Sequence, residues 1–115
     1  MEDKFFQQLK KGALELLVLE LVCAQPTYGY ELLSLLRERS GGLFQLREGT
    51  LYPILYRLED DRLIESSWLH TEGRAAPKKL YSATESGRAE QARRRELWTQ
   101  FQQTVTAFLK GDDNQ

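Results

Sequence analysis

The sequence predicts a mainly α fold with one small β-hairpin, and three observations carry that prediction. Residues 28–61 hold two short amphipathic helical patterns separated by Ser40-Gly41-Gly42. The second pattern runs directly into an alternating strand pattern at 63–69, with a matching return strand at 78–83. A long amphipathic pattern then fills 84–110. Two helices about a tight turn, followed by a hairpin, have the layout of a winged helix-turn-helix. The final pattern adds a long C-terminal helix.

The first helix is expected over residues 3–24, where Phe5, Phe6, Leu9, Ala13, Leu16, Leu17, Leu21 and Ala24 recur at helical spacing. Pro26 ends it, because proline disfavours helical geometry in the residue before it. Thr27 is then a plausible N-cap for a second helix over 28–39, with Leu32, Leu35 and Leu36 on one face. Ser40-Gly41-Gly42 supplies its C-cap and turn. Residues 43–46 partly alternate, and a single strand bridge is expected there. The third helix spans 48–61, with Leu51, Ile54, Leu55 and Leu58 as its inner stripe. Pro53 falls near its first turn, where a missing N–H costs little. Thr84 caps the last helix and Glu85 suits the positive end of its dipole. These elements divide the chain into a winged-helix unit (1–83), a C-terminal helix (84–110) and a polar tail (111–115).

The 115 residues suffice for one core, and 41% hydrophobic with 29% charged residues suits a globular chain. The most apolar stretch, 13–24, is interrupted by Glu15 and Glu20, so no membrane span is expected. The start of the chain lacks the pattern of a secretory signal. Cys23 is the only cysteine, which excludes an intrachain disulfide and fits a reducing cytoplasm. One His and one Cys make no conventional metal site, and Gly41-Gly42 lacks the Lys-Ser/Thr of a phosphate-cradling loop. No catalytic constellation exists, so neither an enzyme nor a cofactor is expected.

The net charge of −1 is unusual for a protein that binds nucleic acid, but its distribution is uneven. Between Trp68 and Ser82 only Glu72 opposes Arg74, Lys78 and Lys79, while acids gather at Glu59-Asp60-Asp61 and at the termini. A helix enters the major groove and reads base edges from its N-terminal part. The third helix offers Thr50, Tyr52 and Pro53 there, with Tyr56 and Arg57 one turn on. The plainer account makes the two tyrosines core and Arg57 a solvated surface group. In the hairpin, Arg74, Lys78 and Lys79 suit phosphate contact, while His70 is a phosphate contact or a bystander.

On the last helix Trp98, Phe101, Val105 and Phe108 repeat at 3-4-3 spacing. A helix about 40 Å long that outruns a small domain must cover such a stripe, most economically with its own copy. Phe5, Leu9, Leu97, Phe101, Val105, Phe108 and Leu109 are the expected dimer contacts. Trp98 and Phe101 are also candidates to line a cavity for a flat aromatic ligand.

Residues 12–19 (GALELLVL), Tyr28-Gly29-Tyr30-Glu31-Leu32, Gly49-Thr50-Leu51-Tyr52-Pro53 with Leu58-Glu59 and Leu63-Ile64, Lys79-Leu80-Tyr81, and Thr84-Glu85-Ser86-Gly87-Arg88 together resemble the PadR family of bacterial transcriptional regulators. The likeness spans nearly the whole chain, and its length is similar to the short subfamily with a single C-terminal helix. The resemblance implies a homodimer that represses from palindromic double-stranded operator DNA and releases it on binding a small aromatic effector. It implies DNA contacts at Thr50, Tyr52 and Tyr56, a phosphate contact at Tyr30, and a basic-then-aromatic wing pair in Lys79 and Tyr81. Trp98 falls where multidrug-sensing members carry a stacking tryptophan. Arg62 replaces a glycine usual in the family's turn after the third helix, which implies either a less usual turn or an arginine that reaches DNA. The alternative is a winged-helix module for protein association without a DNA role.

Overall fold

The computed structural model describes residues 3–69, 73 and 76–111. Four helices, α1 (Lys4–Ala24), α2 (Gly29–Arg39), α3 (Glu48–Asp60) and α4 (Glu85–Lys110), surround a three-stranded antiparallel sheet. Its strands β1 (Thr27–Tyr28), β2 (Ile64–Leu69) and β3 (Lys78–Ala83) lie in the order β1-β3-β2. The mainly α winged-helix prediction therefore holds, with corrections in its details.

Asp3 starts α1 by accepting hydrogen bonds from the Phe5 and Phe6 N–H groups at 2.7 and 3.2 Å. These satisfy two of the donors a helix start leaves open. Thr27 is not an N-cap. It is buried in β1, paired with Tyr81, and its hydroxyl donates to Glu31 Oε1 at 3.1 Å. The same carboxylate oxygen accepts from the Tyr28 N–H at 3.0 Å, so Glu31 supplies the cap for α2. The third strand is therefore β1, not residues 43–46. Those residues are irregular because Phe44 and Leu46 pack against the core instead of pairing with a strand.

The expected stripe of α3 is buried in full: Leu51, Ile54, Leu55 and Leu58 meet Val18, Leu19 and Val22 of α1 and Leu32 and Leu36 of α2 in one core. The turn after α3 is the kind that usually holds glycine. The Leu63 N–H donates to the Leu58 carbonyl and the Arg62 N–H to the Glu59 carbonyl, both at 2.9 Å, with Arg62 at φ 61°. A side chain in this left-handed conformation costs roughly 1–2 kcal/mol, part of which glycine gives back in backbone entropy. Arg62→Gly should therefore raise stability by about 1 kcal/mol and the melting temperature by several degrees at fixed protein concentration. An unchanged or lower melting temperature would show that the arginine is held by something other than this turn.

The turn also fastens α4. Thr84 N–H donates to the Leu63 carbonyl at 3.0 Å, and its hydroxyl lies 2.7 Å from the Arg62 carbonyl and 3.1 Å from that of Leu63. That hydroxyl also accepts the Gly87 N–H at 2.9 Å, as an N-cap does. Gly87 and Gln91 are the only buried residues of α4, Gln91 donating to the Leu16 carbonyl and to Glu20 of α1 at 3.1 and 3.0 Å, and beyond them the helix leaves the core. The radius of gyration is 17.0 Å, against about 13 Å for a compact chain of this length. Phe101, Phe108 and Leu109 on α4 are 63, 83 and 78% exposed. Phe5, Leu9, Leu97 and Val105 are exposed as well. No helix among the described residues is long and apolar enough to cross a membrane.

Candidate nucleic-acid interface

The buried stripe of α3 leaves the opposite arc open: Gly49, Thr50, Pro53, Tyr56, Arg57 and Asp60 are exposed. Helical geometry places Thr50, Pro53 and Arg57 on one flank and Tyr52 and Tyr56 on the other. Each flank borders a cleft. The first, of about 440 Å³, is shared with Lys11, Leu14 and Glu15 of α1. Arg57 spans it, donating from Nε and Nη2 to Glu15 Oε2 at 3.1 and 2.9 Å.

The second cleft, of about 410 Å³, lies between the starts of α2 and α3 and the hairpin. Its walls are aromatic and its cations are held against them. Lys78 Nζ lies 5.8 and 5.5 Å from the ring centres of Tyr28 and Tyr30, which stack 5.7 Å apart. Lys79 Nζ lies within 6 Å of three rings: Tyr56 at 5.8 Å, Trp68 at 5.7 Å and Tyr81 at 5.5 Å. A cation over a ring face gains roughly 0.5–1 kcal/mol at exposed sites. The rings therefore fix where these flexible side chains rest. Glu59 joins α3 to both strands of the hairpin, accepting from the Ser66 hydroxyl at 2.6 Å and lying 3.8 Å from Lys79 Nζ.

Of the expected contact residues, Tyr30, Thr50, Tyr52, Pro53, Tyr56, Arg57, Lys78 and Lys79 line these two clefts, and Arg74 falls outside the described residues. Tyr81 also lines the second cleft, but it is 1% exposed, and its ring is a platform beneath Lys79 rather than an open surface. Burial, with lesser contributions from Tyr52, Glu59 and Tyr56, pushes its hydroxyl up to a pKa of about 12. That hydroxyl has no hydrogen-bond partner among the described residues. Tyr52 is half-buried, and burial followed by Glu48 and Tyr56 raises its pKa. Its hydroxyl packs on Gly29, where any Cβ would overlap it, so the glycine at the start of α2 sets how close the Tyr52 ring can lie. Arg62 sits in the turn after α3, and the left-handed conformation described above is the role the structure shows for it.

Sequence reasoning passed over Lys11, Tyr28, Trp68, Glu15 and Glu59. Trp68 was within reach: alternation from Ile64 puts it on the face of Ser66, directly opposite Lys79. The carboxylates carried no such signal, since Glu15 and Arg57 lie 42 positions apart.

Comparison with known proteins identifies the family. Residues 18–93 match the transcriptional regulator PadR-like family. Transcriptional regulator Rv3488 of Mycobacterium tuberculosis is 44% identical over 55 residues, spanning 48% of this chain and 50% of that protein. A PadR family transcriptional regulator from Eggerthella lenta superposes with a TM-score of 0.81 at 29% identity, covering 92% of this chain and 89% of that one. A PadR-like transcriptional regulator from Bacillus cereus gives a TM-score of 0.76 at 30% identity, covering 91% and 99%. The chain belongs to the PadR-like family of transcriptional regulators, DNA-binding proteins rather than enzymes.

Proposed function

We propose that this protein is a cytoplasmic, ligand-responsive repressor that binds palindromic operator DNA as a homodimer. The exposed arc of α3, flanked by Arg57 on one side and Lys79 on the other, carries the proposal. An arc of that width fits a major groove, with Thr50, Tyr52, Pro53 and Tyr56 toward base edges and Tyr30, Arg57, Lys78 and Lys79 toward phosphates. Residues 1–83 are then the DNA-binding unit and 84–110 the dimerisation helix. The uncovered apolar face of α4 supports the dimer, since monomers rarely expose so large a patch. Two-fold symmetry sets the recognition helices about one DNA turn apart, hence a palindrome. The effector half of the proposal rests on a cleft of about 520 Å³ between α1 and α4, whose lining includes Leu16, Leu17, Phe44 and Trp98 together with the charged Glu20 and Arg95. Its aromatic wall suits a small aromatic molecule stacked on Trp98.

The test is fluorescence anisotropy with a labelled duplex from upstream of the protein's own gene, against scrambled DNA at two salt concentrations. Selective binding that weakens steeply with salt is expected. Thr50→Ala and Tyr52→Ala should lose sequence preference, and Lys79→Ala should weaken all sequences alike. Unchanged operator affinity in the first two variants would move the recognition surface away from α3. The competing reading, a protein-association module, is favoured by the acids Glu59, Asp60 and Asp61 at the C-terminal end of α3. It gains if folded protein binds neither duplex.

A further inference from the structure

Two cations of the recognition face, Arg57 and Lys79, are already engaged, each by a glutamate of the same chain. Glu15 binds the Arg57 guanidinium through two hydrogen bonds, and Glu59 lies 3.8 Å from Lys79 Nζ. Like a phosphate, a carboxylate offers an arginine or lysine negatively charged oxygen acceptors. Both glutamates also have a second partner. Glu15 lies 3.7 Å from Arg94 Nη1 on α4, and Glu59 accepts the Ser66 hydroxyl at 2.6 Å. When a phosphate takes Arg57 or Lys79, neither carboxylate is left stranded, so the exchange is accessible.

We infer that Glu15 and Glu59 are specificity-determining residues, intramolecular stand-ins for DNA phosphate that hold Arg57 and Lys79 until a duplex seats deeply enough to displace them. The inference rests on the DNA-binding reading above and deepens it. A duplex lying loosely on the surface offers phosphates only through screening solvent, where fields fade within about 8 Å at physiological salt. It does not outcompete a carboxylate already in contact. A duplex with α3 in its groove places phosphates directly on both flanks, and the exchange goes forward. The arrangement also accounts for a DNA-binding face on a chain of net charge −1.

The experiment compares Glu15→Gln and Glu59→Gln with Glu38→Gln, which makes the same charge change at an exposed residue near the C-terminal end of α2. Glutamine at 59 keeps an oxygen for Ser66. Affinity of the full chain is measured across a salt series on a scrambled duplex and on the upstream duplex. Relative to Glu38→Gln, each site variant should bind scrambled DNA about threefold to tenfold tighter, with the slope of log K against log salt steeper by roughly 0.9. Its gain on the upstream duplex should be smaller, so selectivity falls. Site variants indistinguishable from Glu38→Gln, or equal gains on both duplexes, would overturn the inference while leaving the parent reading intact if wild type is selective. Failure of folded wild-type protein to bind either duplex at low salt would sink both.

Discussion

Phe101→Asp is expected to leave a folded monomer that has lost operator binding. Phe101 is 63% exposed in the single chain and contacts Trp98 at a ring-centre distance of 6.4 Å, so the core of the winged-helix unit does not depend on it. In the proposed dimer the same ring is buried, where a fully covered Phe contributes about 1.5–3 kcal/mol. A two-fold axis applies that loss twice and brings two carboxylates into an apolar contact without partners. Once the subunits part, the second half-site no longer binds as an intramolecular event, and affinity should fall by about 10²–10⁴. Sedimentation equilibrium and anisotropy check the two halves of the expectation. A variant that still sediments as a dimer would place the interface elsewhere.

Gly87→Ala should have the largest effect on the fold itself. A Cβ at this buried position would run into the Leu63 carbonyl oxygen, a backbone atom that cannot rotate away. That carbonyl also accepts the Thr84 N–H, so its displacement breaks the fastening of α4 at the same time. Overpacking ordinarily costs about 1–3 kcal/mol, and the backbone obstacle puts this case near the upper end. Against a total stability of roughly 5–15 kcal/mol the loss is severe. Thermal unfolding should shift down by roughly 10–20 °C. A melting temperature within two degrees of wild type would mean that α4 joins the sheet differently from the arrangement described. Alanine in place of glycine inside a helix usually stabilises it, so the sign of the shift is diagnostic.

The periodicity of the chain made the helices legible, because Leu51, Ile54, Leu55 and Leu58 can be buried together in only one local conformation. Strand β1 was not legible. Two residues after a proline carry no period, and Thr27-Tyr28 becomes a strand only through the free edge of β3, more than fifty positions on. Residues 43–46 misled for the converse reason. Their alternation comes from Phe44 and Leu46 packing on the core, which imitates a strand without a partner. At the candidate interface, the exposure of Thr50, Pro53 and Tyr56 followed from helical geometry. The burial of Tyr81 did not, because Lys79 and Tyr81, two positions apart in a strand, share a face that the sequence does not assign to core or solvent. The carboxylates at Glu15 and Glu59 were hidden for a third reason: the partners of a surface charge are set by tertiary contacts that no local pattern encodes.

The bonds from Thr84 to the carbonyls of Arg62 and Leu63 have a mechanical consequence. They fix the start of α4 on the turn that ends α3, and Gln91 fixes the helix again to the Leu16 carbonyl and Glu20 of α1, at 3.1 and 3.0 Å. The part of α4 beyond Gln91 forms an arm about 28 Å long, so a swing of about 5° moves its tip by roughly 2 Å. In the proposed dimer, a few ångströms of adjustment where two such arms meet would load this joint and so the end of α3. The two half-sites of a palindrome would feel that load as a change in spacing, a quantity that rigid duplex DNA does not readily match.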